Sequence, residues 1–282
     1  TCCASGSCSG TNLGASSDCS GVCCSKQCGG NLVGYWKMGG ADVSNGLLLD
    51  HSGRGNHLTV RGRPAPETGV SGEGLKLKGD YFSHVDGADF RSPQMTFAIW
   101  IKPDTALEGT SRGVAAKAQD GAGWSWQLRY GNIPGFLGFQ GNDVTKGSTW
   151  AYLDSGVKQG SWTFVAARKN STHLTVFSDG RAVKMAASGG MQESSSNFYL
   201  GFEGWGGNTF NGTMDEARLY DYALSDQDIL ALYRKDVCRG GDPDGDGTVE
   251  LSEVLSHISS WKGQELGMVE VVTYIKSWKY GC

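Results

Sequence analysis

The sequence reads as a mainly β protein: two packed antiparallel sheets, with a cysteine-rich leader at the N-terminus and a small helical module at the C-terminus. Three observations point there. Gly is abundant at 44 of 282 residues and Pro scarce at 6, while aromatic residues reach 10%. That composition suits short strands joined by tight reversals, each of which needs a residue that tolerates positive φ. Apolar and polar residues alternate at period 2 in Gly74–Lys78, Thr96–Ile101 and Thr172–Phe177, and Trp162–Ala166 and Phe198–Phe202 are more continuously apolar. These are the patterns of half-buried and fully buried strands of two stacked sheets. Helical periodicity appears only beyond Ser225.

The leader, residues 1–29, holds Cys2, Cys3, Cys8, Cys19, Cys23, Cys24 and Cys28. Dense cysteines in a Gly/Ser-rich stretch that cannot build its own core read as a disulfide framework. Zinc is the alternative, but no C-x₂-C pair or neighbouring His accompanies them. The run Cys19–Cys28 resembles the adjacent-cysteine core of small knottin-like domains; a disulfide-pinned cap with no binding role is the simpler reading. Disulfides place the protein outside the cell or on its surface. The sequons at Asn170 and Asn211 fit a glycoprotein there. The count of nine cysteines is odd, so one thiol is free or pairs with another chain.

A net charge of −4 with no basic stripe argues against a nucleic-acid partner. No stretch approaches the roughly 20 apolar residues of a membrane span. The start lacks a charged segment followed by an apolar one, so any signal peptide is expected to have been removed. It also lacks the hydrophobic helix through which type IV pilin-like subunits polymerise.

Residues 30–235 form the main domain. Ser178–Arg181 centres on Asp179–Gly180, a hairpin turn, and Ser225 caps a helix over Asp226–Arg234 with Ile229, Leu230 and Tyr233 on one face. Val33–Met38, Asp50–Leu58, Met95–Pro103, Gly160–Ala166, Thr175–Gly180 and Phe210–Tyr220, closed by Ala223–Ser225 and the helix, appear in the order of successive landmarks of one family. In them the chain resembles the laminin-G-like, concanavalin A-like jelly roll. That resemblance implies a two-sheet jelly roll and a calcium site at the rim, for which Asp50 and Asp215 are the candidate ligands. The competing role for Asp50 is an Asx turn holding the reversal at Ser52–Gly53.

Residues 236–282 form the helical module. Leu251, Val254, Leu255, Ile258 and Trp261 lie at helical spacing, and Met268, Val271, Val272, Ile275 and Trp278 repeat it 17 residues later. This duplicated amphipathic helix suits a helical hairpin, which a Cys238–Cys282 disulfide would staple. Asp242-Pro-Asp244-Gly-Asp246-Gly247-Thr248-Val-Glu250-Leu-Ser-Glu253 is an EF-hand-type calcium loop. Asp242, Asp244 and Asp246 supply hard oxygens, Gly247 the sharp turn and Thr248 its backbone carbonyl. Glu250 acts through water and Glu253 closes the shell. Five acidic groups on one loop would repel one another without a cation. The incoming helix of an EF-hand is replaced by Cys238–Gly241 and the second helix has no acidic loop. The module therefore resembles a dockerin-like unit with one calcium loop of two, as on bacterial and archaeal surface proteins.

Signs of catalysis are poor. Asp215 and Glu216 are adjacent rather than alternate, unlike the carboxylate pair of a glycoside hydrolase, and no nucleophile elbow or phosphate loop occurs. The chain is expected not to be an enzyme. Flat aromatic rings beside polar groups suit sugars, and Trp205, Trp124 and Trp126 are the candidates, with Trp150 and Tyr152 in Gly-rich stretches. Packing in the core is the competing role for each. The function expected is recognition or adhesion, with a glycan or surface protein as partner. The alternatives are a structural subunit of a filament or surface layer, self-assembling through an intermolecular disulfide, and an accessory carbohydrate-binding module of a glycan-degrading system. Calcium in the 242–253 loop is expected to lock the tail. Chelation should then lower the melting temperature or loosen an assembly, and unchanged melting, protease resistance and assembly would remove that role.

Overall fold

The computed structural model describes residues 2–3, 12–16, 19–24, 31–104, 110–119, 123–131, 135–154 and 156–241, with 254, 255, 258, 259 and 262 in the tail. Strands β1 (Cys2–Cys3), β2 (Asn12–Ser16) and β3 (Cys19–Cys24) form a small sheet in the order β1-β3-β2. The main domain opens with β4 (Leu32–Trp36), β5 (Val43–Ser44), β6 (Leu47–Leu48), β7 (Leu58–Arg61) and β8 (Ala65–Thr68). It continues through β9 (Glu73–Lys78), β10 (Tyr81–His84), β11 (Met95–Pro103), β12 (Ser111–Gln119) and β13 (Gly123–Gly131). Next come β14 (Leu137–Asp143), β15 (Gly147–Leu153), β16 (Thr163–Lys169), β17 (His173–Ser178) and β18 (Arg181–Ala186). Then β19 (Phe198–Leu200), β20 (Asn211–Tyr220) and helix α1 (Asp226–Gly241) complete the domain.

Two antiparallel sheets make a sandwich. One has nine strands in the order β15-β14-β13-β12-β19-β10-β7-β6-β5. The other has eight, β18-β17-β16-β11-β20-β9-β8 with β4 also beside β20. Between them lies an aromatic core in which Trp36 stacks on Phe198 at 5.5 Å and Phe90 on the same ring at 5.2 Å, with Phe97, Phe82 and Phe139 fully buried around them. Each such side chain contributes roughly 1.5–3 kcal/mol by burial, which explains why the core dominates the stability of the sandwich.

The continuously apolar strands are those buried on both faces. In β11, Phe97, Ile99 and Ile101 enter the inter-sheet core, while Ala98 and Trp100 face the other way into a second cluster with Phe164, Phe177 and Tyr220. Helix α1 covers that cluster with Ile229 and Tyr233, whose ring stacks on Trp100 at 5.6 Å. The Ser225 cap forms as expected: its hydroxyl accepts the Asp228 N–H at 3.0 Å, and the Asp228 carboxylate accepts the Ser225 N–H at 3.2 Å. The Asp179–Gly180 turn also forms, with φ of 43° and 80°.

The expectation that this helix ends at Arg234 is corrected. It runs to Gly241, across the expected 235/236 boundary and directly up to Asp242, so Cys238–Gly241 does not replace an incoming helix. The reason is a tertiary anchor. Asp236, fully buried, takes two hydrogen bonds from Arg218, at 2.7 and 2.8 Å, and a third from the Trp100 indole at 3.1 Å. The 242–253 loop, the cysteine side chains of the leader, and the side chains of Cys238 and Cys282 lie outside the described residues.

Removing one member of a buried charge pair leaves the other unpaired, which typically costs about 3–5 kcal/mol. Asp236→Ala is therefore expected to lose stability on that scale in chemical denaturation, and Arg218→Met/Asp236→Leu to recover part of it. A loss below about 1 kcal/mol would show that the pair does not anchor α1.

Candidate functional site

The outward face of the nine-stranded sheet is the candidate site. In β13, Trp126, Leu128 and Tyr130 enter the core, so alternation sends Gln127 and Arg129 to the outer face. The register extends that face sideways. Gln127 pairs with Gln140 on β14 and Ala116 on β12; Gln140 pairs with Trp150 on β15; Ala116 pairs with Tyr199 on β19, and Tyr199 with Ser83 on β10. Five strand spacings make this row about 24 Å long; Gln127, Ala116, Tyr199 and Ser83 on it are buried, and Gln140 and Trp150 half-buried.

Aromatic rings and hydrogen-bonding groups both stand on and beside it. The Arg129 guanidinium lies over the Trp150 ring at 4.6 Å, which fixes a half-exposed indole. Arg129 also reaches the Glu203 carboxylate at 3.3 Å and donates to the Gln140 carbonyl at 3.4 Å, while the Gln140 amide donates to Ser148 at 2.8 Å. Tyr152, 49% exposed, stacks on Phe136 at 5.8 Å. Gly138 on β14 stands opposite Tyr152, and a Cβ there would press on the Phe136 and Trp150 rings. A loop, residues 201–210, lies on the same face. Phe202 packs on Tyr81 at 4.9 Å and edge-on to Tyr199 at 5.2 Å, and a Cβ at Gly113 would collide with the backbone of Phe202 and Glu203. Buried Glu203 accepts from Asn208 and holds Arg129.

A two-sheet sandwich of this kind has a counterpart among known families. The sequence profile of the Laminin_G_3 family of the concanavalin A-like lectin/glucanase superfamily matches residues 77–230. The chain belongs to this superfamily. No curated protein matches it. Among solved structures, domain 4 of AbnA, an extracellular GH43 arabinanase from Geobacillus stearothermophilus in complex with arabinotriose, superposes with a TM-score of 0.56 at 19% identity. That match covers 72% of this chain and 98% of the domain. The binding domain of Paraclostridial Mosquitocidal Protein 1 superposes at 0.58 with 15% identity over 73% of this chain. The botulinum neurotoxin serotype D binding domain does so at 0.54 with 15% identity, also over 73%. The chain spans about half the length of these two toxin domains, 52% and 51%. At these identities the likeness shows the concanavalin-like fold.

Within this concanavalin-like domain the expected ligand residues separate. Trp150 and Tyr152 lie on the outer face. Trp126 does not, which corrects the expectation that it pairs with Trp124 on one side. It is 3% exposed, packed between Phe97, Phe139 and Phe198. A bulge at Ser125 breaks the alternation, because Lys117 pairs with Trp126 and the next residue, Ala118, with Trp124. Trp124 is half-buried. Trp205 is also half-buried in its loop rather than an open platform. Arg129, Gln140, Gln127 and Glu203 were not singled out from sequence, although the polar alternation Ser125, Gln127, Arg129 marks the outer face of β13.

Asp50 holds a turn. Its oxygens accept hydrogen bonds from the backbone of Tyr35, Ser52 and Asn56 and from the Ser52 hydroxyl, all at 2.7–2.9 Å. Burial opposes its ionisation, but these donors outweigh it and hold the pKa below the usual range. Asp215 has different partners. One oxygen accepts the N–H groups of Val70 and Ser71 at 2.7 and 3.0 Å, and the other is buried with no partner among the described residues. Burial pushes its pKa up to about 8, and neighbouring Glu216 adds to the effect. The two carboxylates share no hydrogen-bonding partner, and among the described residues no group of three or more His, Cys, Asp or Glu side chains is arranged to hold a metal. Asn170 accepts from Thr172 N–H and Oγ–H and from His173 N–H, a compact turn, whereas Asn211 heads β20 opposite Lys78.

The Asp215 shift has a definite sign. With a folded pKa of about 8 against 3.8 unfolded, the folded chain keeps a proton that the unfolded chain loses, so this residue's contribution to stability falls as pH rises between those values. Asp215→Asn is expected to stabilise relative to wild type by an amount that widens from pH 4 to pH 8, read from paired denaturation curves. A pH-independent difference would show that Asp215 is ionised when folded.

Proposed function

We propose that this domain is a non-catalytic extracellular binding module that recognises carbohydrate on the outer face of its nine-stranded sheet. The observation that carries this reading is the Trp150–Arg129–Gln140 arrangement: an indole held flat by a guanidinium, beside amide groups able to bond hydroxyls. Sugars present an apolar C–H face and a rim of hydroxyls, and a fixed aromatic ring with neighbouring polar groups matches both. The likeness to an arabinanase domain crystallised with arabinotriose and to toxin binding domains supports a binding role. The glycan is the favoured partner over a surface protein because the polar groups converge beside the rings.

The calcium loop at Asp242, Asp244, Asp246, Thr248, Glu250 and Glu253 belongs to the same reading as a structural element. A helix ending at Gly241 gives the loop the entering helix of an EF-hand, which supports calcium there. Its role in this reading is to brace the tail.

Loss of one stacked aromatic typically costs about 1 kcal/mol or more of ligand binding. Trp150→Ala is expected to weaken glycan binding roughly tenfold while keeping the fold, as judged by circular dichroism. Unchanged affinity on a glycan array would move the site off this face.

A further inference from the structure

Gln127 sits in the middle of the outer row and is fully buried, yet neither its carboxamide oxygen nor its nitrogen has a partner among the described residues. A buried amide left unpaired at both ends is a standing cost, and folded proteins rarely keep one without a use for it. The neighbours do not satisfy it. Gln140 on β14 bonds Arg129 and Ser148 rather than Gln127, and the methyl of Ala116 on β12 has no hydrogen-bonding group.

The 201–210 loop rests on β12 on both sides of this position's partner. Its Phe202 and Glu203 backbone lies on Gly113, and Gly204 lies against Ala118. Ala116, the direct β12 partner of Gln127, falls between those two points. The bends of the loop rest on glycine: Gly204, Gly206 and Gly207 all have positive φ, at 95°, 66° and 72°. Polar ties at the border of the site, Glu203 to Arg129 and Asn208 to Glu203, hold it down.

We propose that Gln127 is the specificity-determining residue of the carbohydrate face, and that residues 203–208 lift to admit a neutral oligosaccharide to its amide. The proposal rests on the carbohydrate-binding reading. A carboxamide both donates and accepts, so it matches two adjacent sugar hydroxyls, one giving and one taking a hydrogen bond. The charge of Arg129 is answered by Glu203, so this part of the face favours neutral sugars over uronates. Because the amide is buried, a sugar that reaches it meets a site sheltered from water, where an unmade hydrogen bond discriminates strongly.

The test compares wild type, Gln127→Met and Gln127→Glu on one array of neutral and uronate-containing oligosaccharides, arabinotriose among them, with melting temperatures taken without ligand. Wild type is expected to prefer neutral sugars. Both variants should bind them at least about tenfold more weakly, because Met loses the whole amide and Glu its donors. Gln127→Met should melt no lower than wild type, since it removes an unpaired group. Variants that bind within about twofold of wild type would overturn the assignment while leaving the carbohydrate face intact. Melting of Gln127→Met more than about 4 °C lower would make the amide a structural group and equally overturn it. A wild-type preference for uronates would overturn the neutral class. If wild type binds no glycan at all, the carbohydrate reading itself fails, and the failure is recognisable because it precedes any substitution.

Discussion

Three strands meet on β20, and the fold depends on how one strand serves them all. Along one edge β20 pairs with β11 for its whole length. Along the other it pairs first with β9, over Asn211–Met214, and then with β4, over Ala217–Tyr220. Between the two stretches the register against β11 shifts, and Glu216 takes a positive φ of 54°. A non-glycine residue adopts that conformation only where its surroundings hold it there. Here they do, through three polar side chains within four residues. Asp215 receives the backbone of the Val70–Ser71 loop, Glu216 the Tyr35 hydroxyl of β4 at 2.6 Å, and Arg218 the carboxylate of Asp236 on α1. One irregular turn of strand thus locates a loop, a strand and a helix at once.

Charges in such a position are kept for geometry more than for net stabilisation. Taking Arg218, Glu216 and Asp236 out of water costs about as much as their mutual attraction returns, and well-packed apolar residues would often do as well. Their directionality has no apolar substitute. A bidentate guanidinium fixes the roll of α1 about its axis, and the Trp100 indole bonded to the same carboxylate fixes its height over the sheet. Lys117 and Asp86 repeat the device at another edge. The buried ammonium bonds that carboxylate and the carbonyls of Ser194 and Ser196, while Arg91 together with Lys117 holds the Asp86 pKa at about 2.

How far the sequence disclosed this structure follows from the range over which each signal acts. Period-2 runs such as Thr96–Ile101, the Asp179–Gly180 turn and the Ser225 cap depend on residues a few positions apart, and each forms where the sequence places it. The end of α1 was not legible, because Gly240 and Gly241 are poor helix formers and the contact that extends the helix comes from Arg218, 18 residues earlier. The side taken by Trp124 was hidden for a similar reason. The bulge at Ser125 is set by pairing with β12, and nothing in Trp124–Ser125–Trp126 itself reveals it. The candidate face was half legible. Trp150 and Tyr152 stand out as aromatic residues, but Arg129 and Glu203 meet only across 74 residues of chain.

The two outer faces of the sandwich are not equivalent, and the difference bears on function. On the eight-stranded sheet the outward residues of β11 and β16 are Trp100, Ala98, Phe164 and Ala166, an apolar surface that α1 must cover. That face is committed to the domain's own packing. The outward residues of β13 and β14 on the other sheet are Gln127, Arg129 and Gln140, which need no cover of that kind, and the loop laid across them is held by polar ties and glycine turns. An unpaired buried amide adds nothing to stability, and the guanidinium beside it holds an indole half-buried at the edge of the same face. Since α1 packs on the one face, the other is the sheet face left open to the proposed ligand.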